Sequence, residues 1–239
     1  MKARKILTAS LIAVTSLVAA DVSPEKIKEI QDRFPTIFQD DNIKMIKSLD
    51  RGKYQQFQME AMTNVGPQRF DMFAVDGLDV ILAGNAYDKD GKRVTIPVDP
   101  KLVKEAVALT FGSGNEPVYI VTDPECPYCQ QLEKSISKSA LEKYSINVVF
   151  MPLSFHQNAI PMIEWMYDAK DDKEFKDRYE KVMSGDDSYK KDKVSNEARE
   201  KAKTYIMRGY GLAQELGVQG TPSVFDKDLN PINPAILAN

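Results

Sequence analysis

Cys126 and Cys129 are the only cysteines in a chain of 239 residues, and they stand as Cys-Pro-Tyr-Cys directly after an apolar run. Two thiols at i and i+3, where a strand hands over to a helix, suit disulfide exchange. Residues three apart on a helix face each other at about 5–6 Å, a separation that a disulfide accepts. Pro127 fits the first helical turn, where its missing N–H is no loss. Cys126 then falls at the helix N-terminus, where free N–H groups and the helix dipole favour a thiolate. Cys129 lies one turn deeper and is expected to be less exposed. Cys126 is therefore the expected nucleophile and Cys129 the resolving thiol. A favoured thiolate gains little in attack, because its larger ionised fraction is offset by lower intrinsic reactivity. Its advantage lies in leaving a mixed disulfide readily. Asp123 and Glu125 are nearby acids that oppose such a thiolate.

Two plainer uses of the pair are weaker. A bond across so short a loop removes little entropy from the unfolded chain and makes a poor staple. A zinc site normally needs four ligands, and beside the two cysteines the chain offers one histidine, His156. No metal or organic cofactor is called for.

Residues 1–20 read as a secretory signal peptide. Lys2, Arg4 and Lys5 form a positive start, an apolar stretch follows, and Val18-Ala19-Ala20 supplies small residues before a cut ahead of Asp21. The stretch is short and flecked with Ser and Thr for a membrane span. A mature chain delivered this way enters an oxidising compartment, where disulfide chemistry is in demand. Losing the three basic residues takes the formal net charge from −3 to −6. No basic surface interleaved with aromatics points to nucleic acid. The Lys/Asp/Glu-rich stretch 168–203 is most simply a solvated helical surface.

The remaining sequence supplies the elements that must position the two thiols. Ser23-Pro24-Glu25 starts a helix well, with Ser23 as N-cap and Pro24 at N1, and it ends near Phe34-Pro35. Residues 43–49 are ambiguous, 54–62 and 69–75 read as strands, and Asp76-Gly77 is a turn before the apolar run 80–83. A short extended piece at 94–98 closes an α+β module over residues 21–97. Asp99-Pro100 opens a helix, with Leu102, Val103, Ala106, Val107 and Leu109 at near-helical spacing. It reads as a linker over 98–113, or equally as a core helix.

Residues 114–239 form the next domain. A buried strand, 117–122, leads into the cysteines. The following helix carries Leu132, Ile136, Ala140 and Leu141, and 146–151 is the next strand. From His156 to Leu216 the pattern is helical, broken near Gly185, with the insertion itself spanning about 156–203. Gly220-Thr221-Pro222 and a strand at 223–225 follow. Strand, redox helix, strand, helices, then Gly-Thr-Pro and strand is the order of a thioredoxin-like α/β fold. That fold brings Pro222 beside the cysteines, as a cis-proline that presents a sharp turn and no N–H donor. The Thr221 backbone can then pair with an extended substrate segment as an added strand. Thr221, Pro222 and Tyr128 are the expected substrate-binding residues.

The chain resembles the DsbC/DsbG family of periplasmic thiol:disulfide interchange proteins. The resemblance rests on Asp-Pro-Glu-Cys-Pro-Tyr-Cys at 123–129, Met-Pro-Leu at 151–153 with His156, and Leu-Gly-Val-Gln-Gly-Thr-Pro at 216–222. The segment 73–91, with its Asp-Gly turns, resembles the end of that family's N-terminal module. Cys-Pro-Tyr-Cys alone also occurs in glutaredoxins, but a signal peptide, an extra N-terminal module and a long helical insert argue against one. The resemblance implies a V-shaped homodimer joined through N-terminal modules, with linker helices holding two thioredoxin-like domains across a cleft. It also implies a membrane electron donor of the DsbD kind, and unfolded or misoxidised secreted proteins as substrates. The missing second cysteine pair is closer to the DsbG branch. The few residues after Pro231 leave little room for the family's terminal helix.

His156 is the one histidine available for acid–base work, yet its place after a strand is more often structural. Trp165, Met162, Met166 and Tyr167 are expected to pack the insert, or in part to line a peptide-binding surface. The activity implied is isomerisation or reduction of disulfides. A dithiol oxidase and a chaperone that binds unfolded chains in a dimer cleft are the alternatives.

Overall fold

The computed structural model describes residues 20–63 and 66–238. All but the last residue of the expected signal peptide lie outside this range. The chain divides into two compact units at Gly84/Asn85.

In the first unit, helix α1 (Pro24–Arg33) starts as the sequence dictates: the Ser23 hydroxyl accepts the Lys26 N–H and Pro24 fills N1. After the single turn α2 (Pro35–Phe38) come strands β1 (Ile43–Asp50), β2 (Tyr54–Thr63), β3 (Gly66–Val75) and β4 (Ile81–Ala83). They form an antiparallel sheet in the order β1-β2-β3-β4. The ambiguous 43–49 segment is thus a strand, paired from Ile43↔Ala61 to Asp50↔Gln55. Alternate residues Phe57 and Met59 of β2, with Met72 and Ala74 of β3, pack with Ile30 of α1, as the two-residue period of a strand requires. Phe38 meets Phe57 edge to face, with ring centroids 5.9 Å apart. No strand forms over 94–98. That segment belongs to the second unit, with only a bridge between Tyr87 and Arg93 around the Asp88–Gly91 turn.

The second unit begins with helix α3 (Pro100–Ala106), whose N–H at Lys101 is capped by Asp99. The helix expected to reach residue 113 stops at Ala106, because Val107 turns to an extended backbone and Leu109–Phe111 becomes strand β5. Val103 and Ala106 pack with Leu212 and Ala213, so α3 is a core helix of this unit. Strand β6 (Glu116–Thr122), helices α4 (Pro127–Ser135) and α5 (Lys138–Lys143), and strand β7 (Tyr144–Phe150) follow. One helix was expected between β6 and β7. It breaks because Ile136 is extended and the Ser137 hydroxyl caps a new start at the Ala140 N–H.

The insertion supplies α6 (Ala159–Tyr167), α7 (Asp172–Ser184) and α8 (Asn196–Glu215), and β8 (Ser223–Phe225) completes the sheet. Its order is β5-β7-β6-β8, with β6 and β7 parallel and both edges antiparallel. Val121, Val149 and Phe225 on one face pack with residues of α3 and α8. The alternate residues Val118, Ile120 and Ile146 pack with Leu132 and Ala140 of the α4–α5 side. Val148 and Phe150 lie in a third cluster with both cysteines and the insertion, including Trp165, Met162, Met166 and Tyr167. A sheet buried on both faces, with β6 reading Pro-Val-Tyr-Ile-Val-Thr, is the arrangement a parallel strand pair demands. The thioredoxin-like order of elements is therefore present in this unit. Among the described residues, no helix is long and apolar enough to cross a membrane.

Candidate redox-active site

Strand β6 ends at Thr122, Asp123-Pro124-Glu125 follow, and Cys126 is the N-cap of α4 with Pro127 at the first helical position. The Cys126 N–H donates to the Asp123 carbonyl at 3.1 Å, and the Gln130 N–H returns to the Cys126 carbonyl at 3.1 Å. These bonds fix the strand-to-helix corner on which the thiol stands. Cys129 follows one turn on. Both thiols are free, and both residues are buried, Cys126 4% exposed and Cys129 1%.

Cys126 is more covered than a helix end in solvent because the segment before β8 lies against it. The Thr221–Pro222 bond is cis, and the Cys126 thiol points at the Thr221 carbonyl, 3.6 Å away. Residues 95 positions apart in sequence thus share one site. Tyr128, 73% exposed, lines a shallow depression with Thr221 and Pro222.

Cys129 faces inward. Burial pushes its thiol up to about 12. The Asp123 N–H, 3.5 Å from the sulfur, and the hydroxyls of Thr122 and Thr221 act in the opposite direction but are outweighed. One thiol therefore stands at the corner and the other is held protonated beneath it.

The two acids before Cys126 are bound to the segment after β7. The fully buried Asp123 carboxylate accepts the Glu125 N–H at 2.8 Å and the Leu153 N–H at 2.6 Å, and it lies 2.7 Å from His156 Nδ1. Glu125 accepts the Asn158 N–H at 2.6 Å, the Asn158 side-chain amide at 2.8 Å and the Ala159 N–H at 2.9 Å. It serves α6 as a cap from a distance, since Asn158 makes no side-chain cap of its own. Burial works to raise the Glu125 carboxyl, but these bonds and the nearby His156 hold it below its ordinary value. His156 is thus an anchor beside the site, its ring also set against Phe155 at 4.6 Å between centroids.

Sequence reasoning placed Asp123 and Glu125 near the thiols but gave them only an electrostatic part. Their positions three and one residues before Cys126 were the available signal. It missed Glu133, four residues beyond Cys129, whose Oε2 accepts the Tyr179 hydroxyl at 2.9 Å. Burial pushes the Glu133 carboxyl up to about 7, against the bond from Tyr179 and reinforced by Glu180.

No curated protein matches the chain. Among solved structures it is similar to a thioredoxin-like oxidoreductase from Silicibacter pomeroyi, at 14% identity and a TM-score of 0.47 over 59% of this chain and 94% of that one. A linker-deletion mutant of Proteus mirabilis ScsC aligns at 18% identity and a TM-score of 0.44, covering 58% of this chain and 75% of the other. Helicobacter pylori DsbG aligns at 13% identity and a TM-score of 0.39, covering 84% and 98%. The family model of the thioredoxin-like domain matches residues 103–230. That range is more than half of the chain and holds every residue of the site just described, so the chain belongs to the thioredoxin-like domain family.

Proposed function

We propose that the protein is a periplasmic thiol-disulfide oxidoreductase that isomerises or reduces wrong disulfides in secreted proteins. The observation that carries this reading is the unlike setting of two thiols one helical turn apart. Cys126 caps α4 against the Thr221 carbonyl, and Cys129 is enclosed and kept protonated by burial. The Cys126 thiolate attacks a substrate disulfide, forming a mixed disulfide and releasing one substrate thiolate. A second substrate thiol then displaces Cys126, which is isomerisation, or Cys129 attacks Cys126 Sγ and expels the substrate sulfur as a thiolate, which is reduction and leaves the Cys126–Cys129 disulfide. Thr221, Pro222 and Tyr128 receive the extended substrate chain beside the sulfur.

The reading includes residues 1–20 as a cleaved export signal, a DsbD-like membrane protein as electron donor, and a homodimer formed through the first unit. The exposed apolar side chains Leu78, Val80 and Leu82, before and on β4 of the first unit, support the last point. Light scattering on the mature chain is expected to give twice the monomer mass.

The deciding test is the redox state of Cys126 and Cys129 in the cell, by acid trapping and thiol alkylation. A mostly reduced pair supports the isomerase or reductase. A mostly oxidised pair overturns it in favour of a dithiol oxidase. Cys129→Ala is expected to accumulate mixed disulfides with exported proteins through Cys126.

A further inference from the structure

Val121 and Val149, on one face of the second sheet, pack with residues of α3 and α8. Two residues back along the same strands, Tyr119 pairs with Asn147, and Asn147 with Thr110. Their side chains therefore form the next row on that face. The row stays partly open: Thr110 is exposed, and Tyr119 and Asn147 are half-buried. A groove of about 490 Å³ lies between this row, α3 and the turn after β8, within the ordinary size of a small-molecule site.

The walls are apolar and the charge is of one sign. Pro100, Val103 and Val107 recur at i, i+3 and i+7 through α3 and its C-cap, so one face of that helix lines the groove. Val98 and Leu229 add to the apolar lining. On the floor the Asn147 amide is spent within the sheet. Its oxygen accepts the Thr110 hydroxyl at 2.9 Å, and its nitrogen donates to the Ser145 carbonyl at 3.0 Å and the Val118 carbonyl at 3.3 Å. The charged lining residues are Lys104 and Lys227, with no carboxylate beside them in the lining, although the chain as a whole carries a formal charge of −3. The neighbouring acids are occupied elsewhere. Asp99 caps the Lys101 N–H, and Asp226 accepts the Asp228 and Asn230 N–H groups of its own turn. Asp228 is shared between Lys227 at 2.8 Å and Lys92 at 3.3 Å. Lys104 and the Tyr119 hydroxyl are left without a partner among the described residues.

We propose that this groove binds a free single-chain carboxylate, with its hydrocarbon chain against the α3 face and the Tyr119 ring and its anionic end on Lys104. Charge complementarity selects the occupant. One uncommitted ammonium suits a single negative charge, and a lining without carboxylates leaves nothing in the groove to repel it. A cationic amphiphile of the same length finds no counter-charge there. The apolar walls supply most of the affinity by taking the chain out of water, and the exposed ammonium supplies the selectivity for an anion. None of the lining residues belongs to the redox corner or to the depression at Tyr128, Thr221 and Pro222. The site therefore stands apart from the dithiol chemistry and does not depend on it.

The test titrates the full-length protein with decanoate in a calorimeter at low ionic strength. Saturable binding of about one decanoate per chain is expected, weakened about 10-fold in Lys104→Glu. Lys104 is exposed, so this charge reversal is expected to leave the Tm unchanged. Lys173→Glu makes the same charge change at an exposed lysine of α7 outside the groove and is expected to bind as the wild type does. In nitrogen-15 spectra decanoate is expected to shift the amides of Val103, Val107, Tyr119 and Asn147. Shifts confined to Tyr128 and Thr221 place the chain in the substrate depression and overturn the proposal. So do equal affinities for the wild type and Lys104→Glu, binding of decyltrimethylammonium as tight as that of decanoate, or no saturable binding at all. The double variant Cys126→Ala/Cys129→Ala is expected to bind decanoate unchanged. Failure of this site therefore leaves the redox reading intact, and loss of the redox reading leaves this site standing.

Discussion

Asp123 Oδ2 lies 2.7 Å from His156 Nδ1, and the same oxygen accepts the Leu153 N–H at 2.6 Å. One buried carboxylate, three residues before the nucleophile, therefore ties the end of β6 to the turn that follows β7. Its backbone carbonyl also holds the Cys126 N–H, so the loop and the thiol share an anchor. Asp123→Ala removes the acceptor for two backbone N–H groups and the ring together. It is expected to destabilise the protein by about 3–5 kcal/mol, the range for removing one partner of a buried pair. His156→Ala, which leaves Asp123 its two N–H donors, is expected to cost roughly 1 kcal/mol. Urea unfolding at neutral pH separates the two, and a loss below 1 kcal/mol for Asp123→Ala contradicts the anchoring role.

Glu125 caps α6 across a gap of 33 residues, and Glu125→Ala is expected to destabilise by about 1–2 kcal/mol at pH 7. The sign of the pH dependence follows from its lowered carboxyl. A carboxylate held below its unfolded value contributes stability that is present above that value, near 4.5 here, and is lost as pH falls through the folded value. The stability gap between wild type and Glu125→Ala should therefore narrow below pH 4.5. A gap that stays constant from pH 7 to pH 3 rules out a charge-assisted cap.

How much of this was legible beforehand varied with the range of the interaction. The corner at Cys126 could be read directly, because Pro127 and the apolar run before it are local signals that the chain obeys. Thr221 and Pro222 could be placed only through the order of strands, since no local pattern links them to residue 126. The helix expected to run on from residue 100 misled because Val107 and Leu109 keep a helical spacing. Yet Leu109–Phe111 gains a strand partner in β7 that a helix would forgo. The partners of Asp123 and Glu125 are backbone N–H groups of a distant turn, and backbone donors leave no trace in residue types. Tyr179 sits in a charge-rich stretch that reads as solvated surface, and only the packing of α7 reveals that its ring is enclosed.

Gly209 lies inside α8 where the helix crosses β7. A methyl group there would fall on the Phe150 carbonyl oxygen, well inside contact distance, with the Phe150 carbonyl carbon at 3.0 Å and Val149 Cγ1 at 3.4 Å. The obstructing atoms are mainly backbone of a buried central strand and cannot swing aside. In an open helix Gly→Ala stabilises by about 0.5–1 kcal/mol. Here Gly209→Ala is expected to reverse that sign and destabilise by about 1–3 kcal/mol, the range for overpacking. Thermal unfolding decides the matter: a raised Tm for Gly209→Ala means that α8 does not need this close approach.

The raised Glu133 carboxyl makes a stability prediction of its own. Its ordinary value is 4.5 and its folded value about 7. Between those limits the folded state keeps a proton that the unfolded chain has released, so stability falls as pH rises through the window. The contribution is fully present below 4.5 and is gone above 7. Across that window each pH step of one corresponds to about 1.4 kcal/mol. With the residue only half buried, screening reduces the expected loss to about 1–3 kcal/mol. Glu133→Gln has no proton to release and escapes this loss. Measured by urea unfolding, wild type relative to Glu133→Gln should therefore weaken steadily from pH 4.5 to pH 7.5. Parallel profiles for the two proteins would mean that the carboxyl is already ionised when folded, and that burial does not raise it.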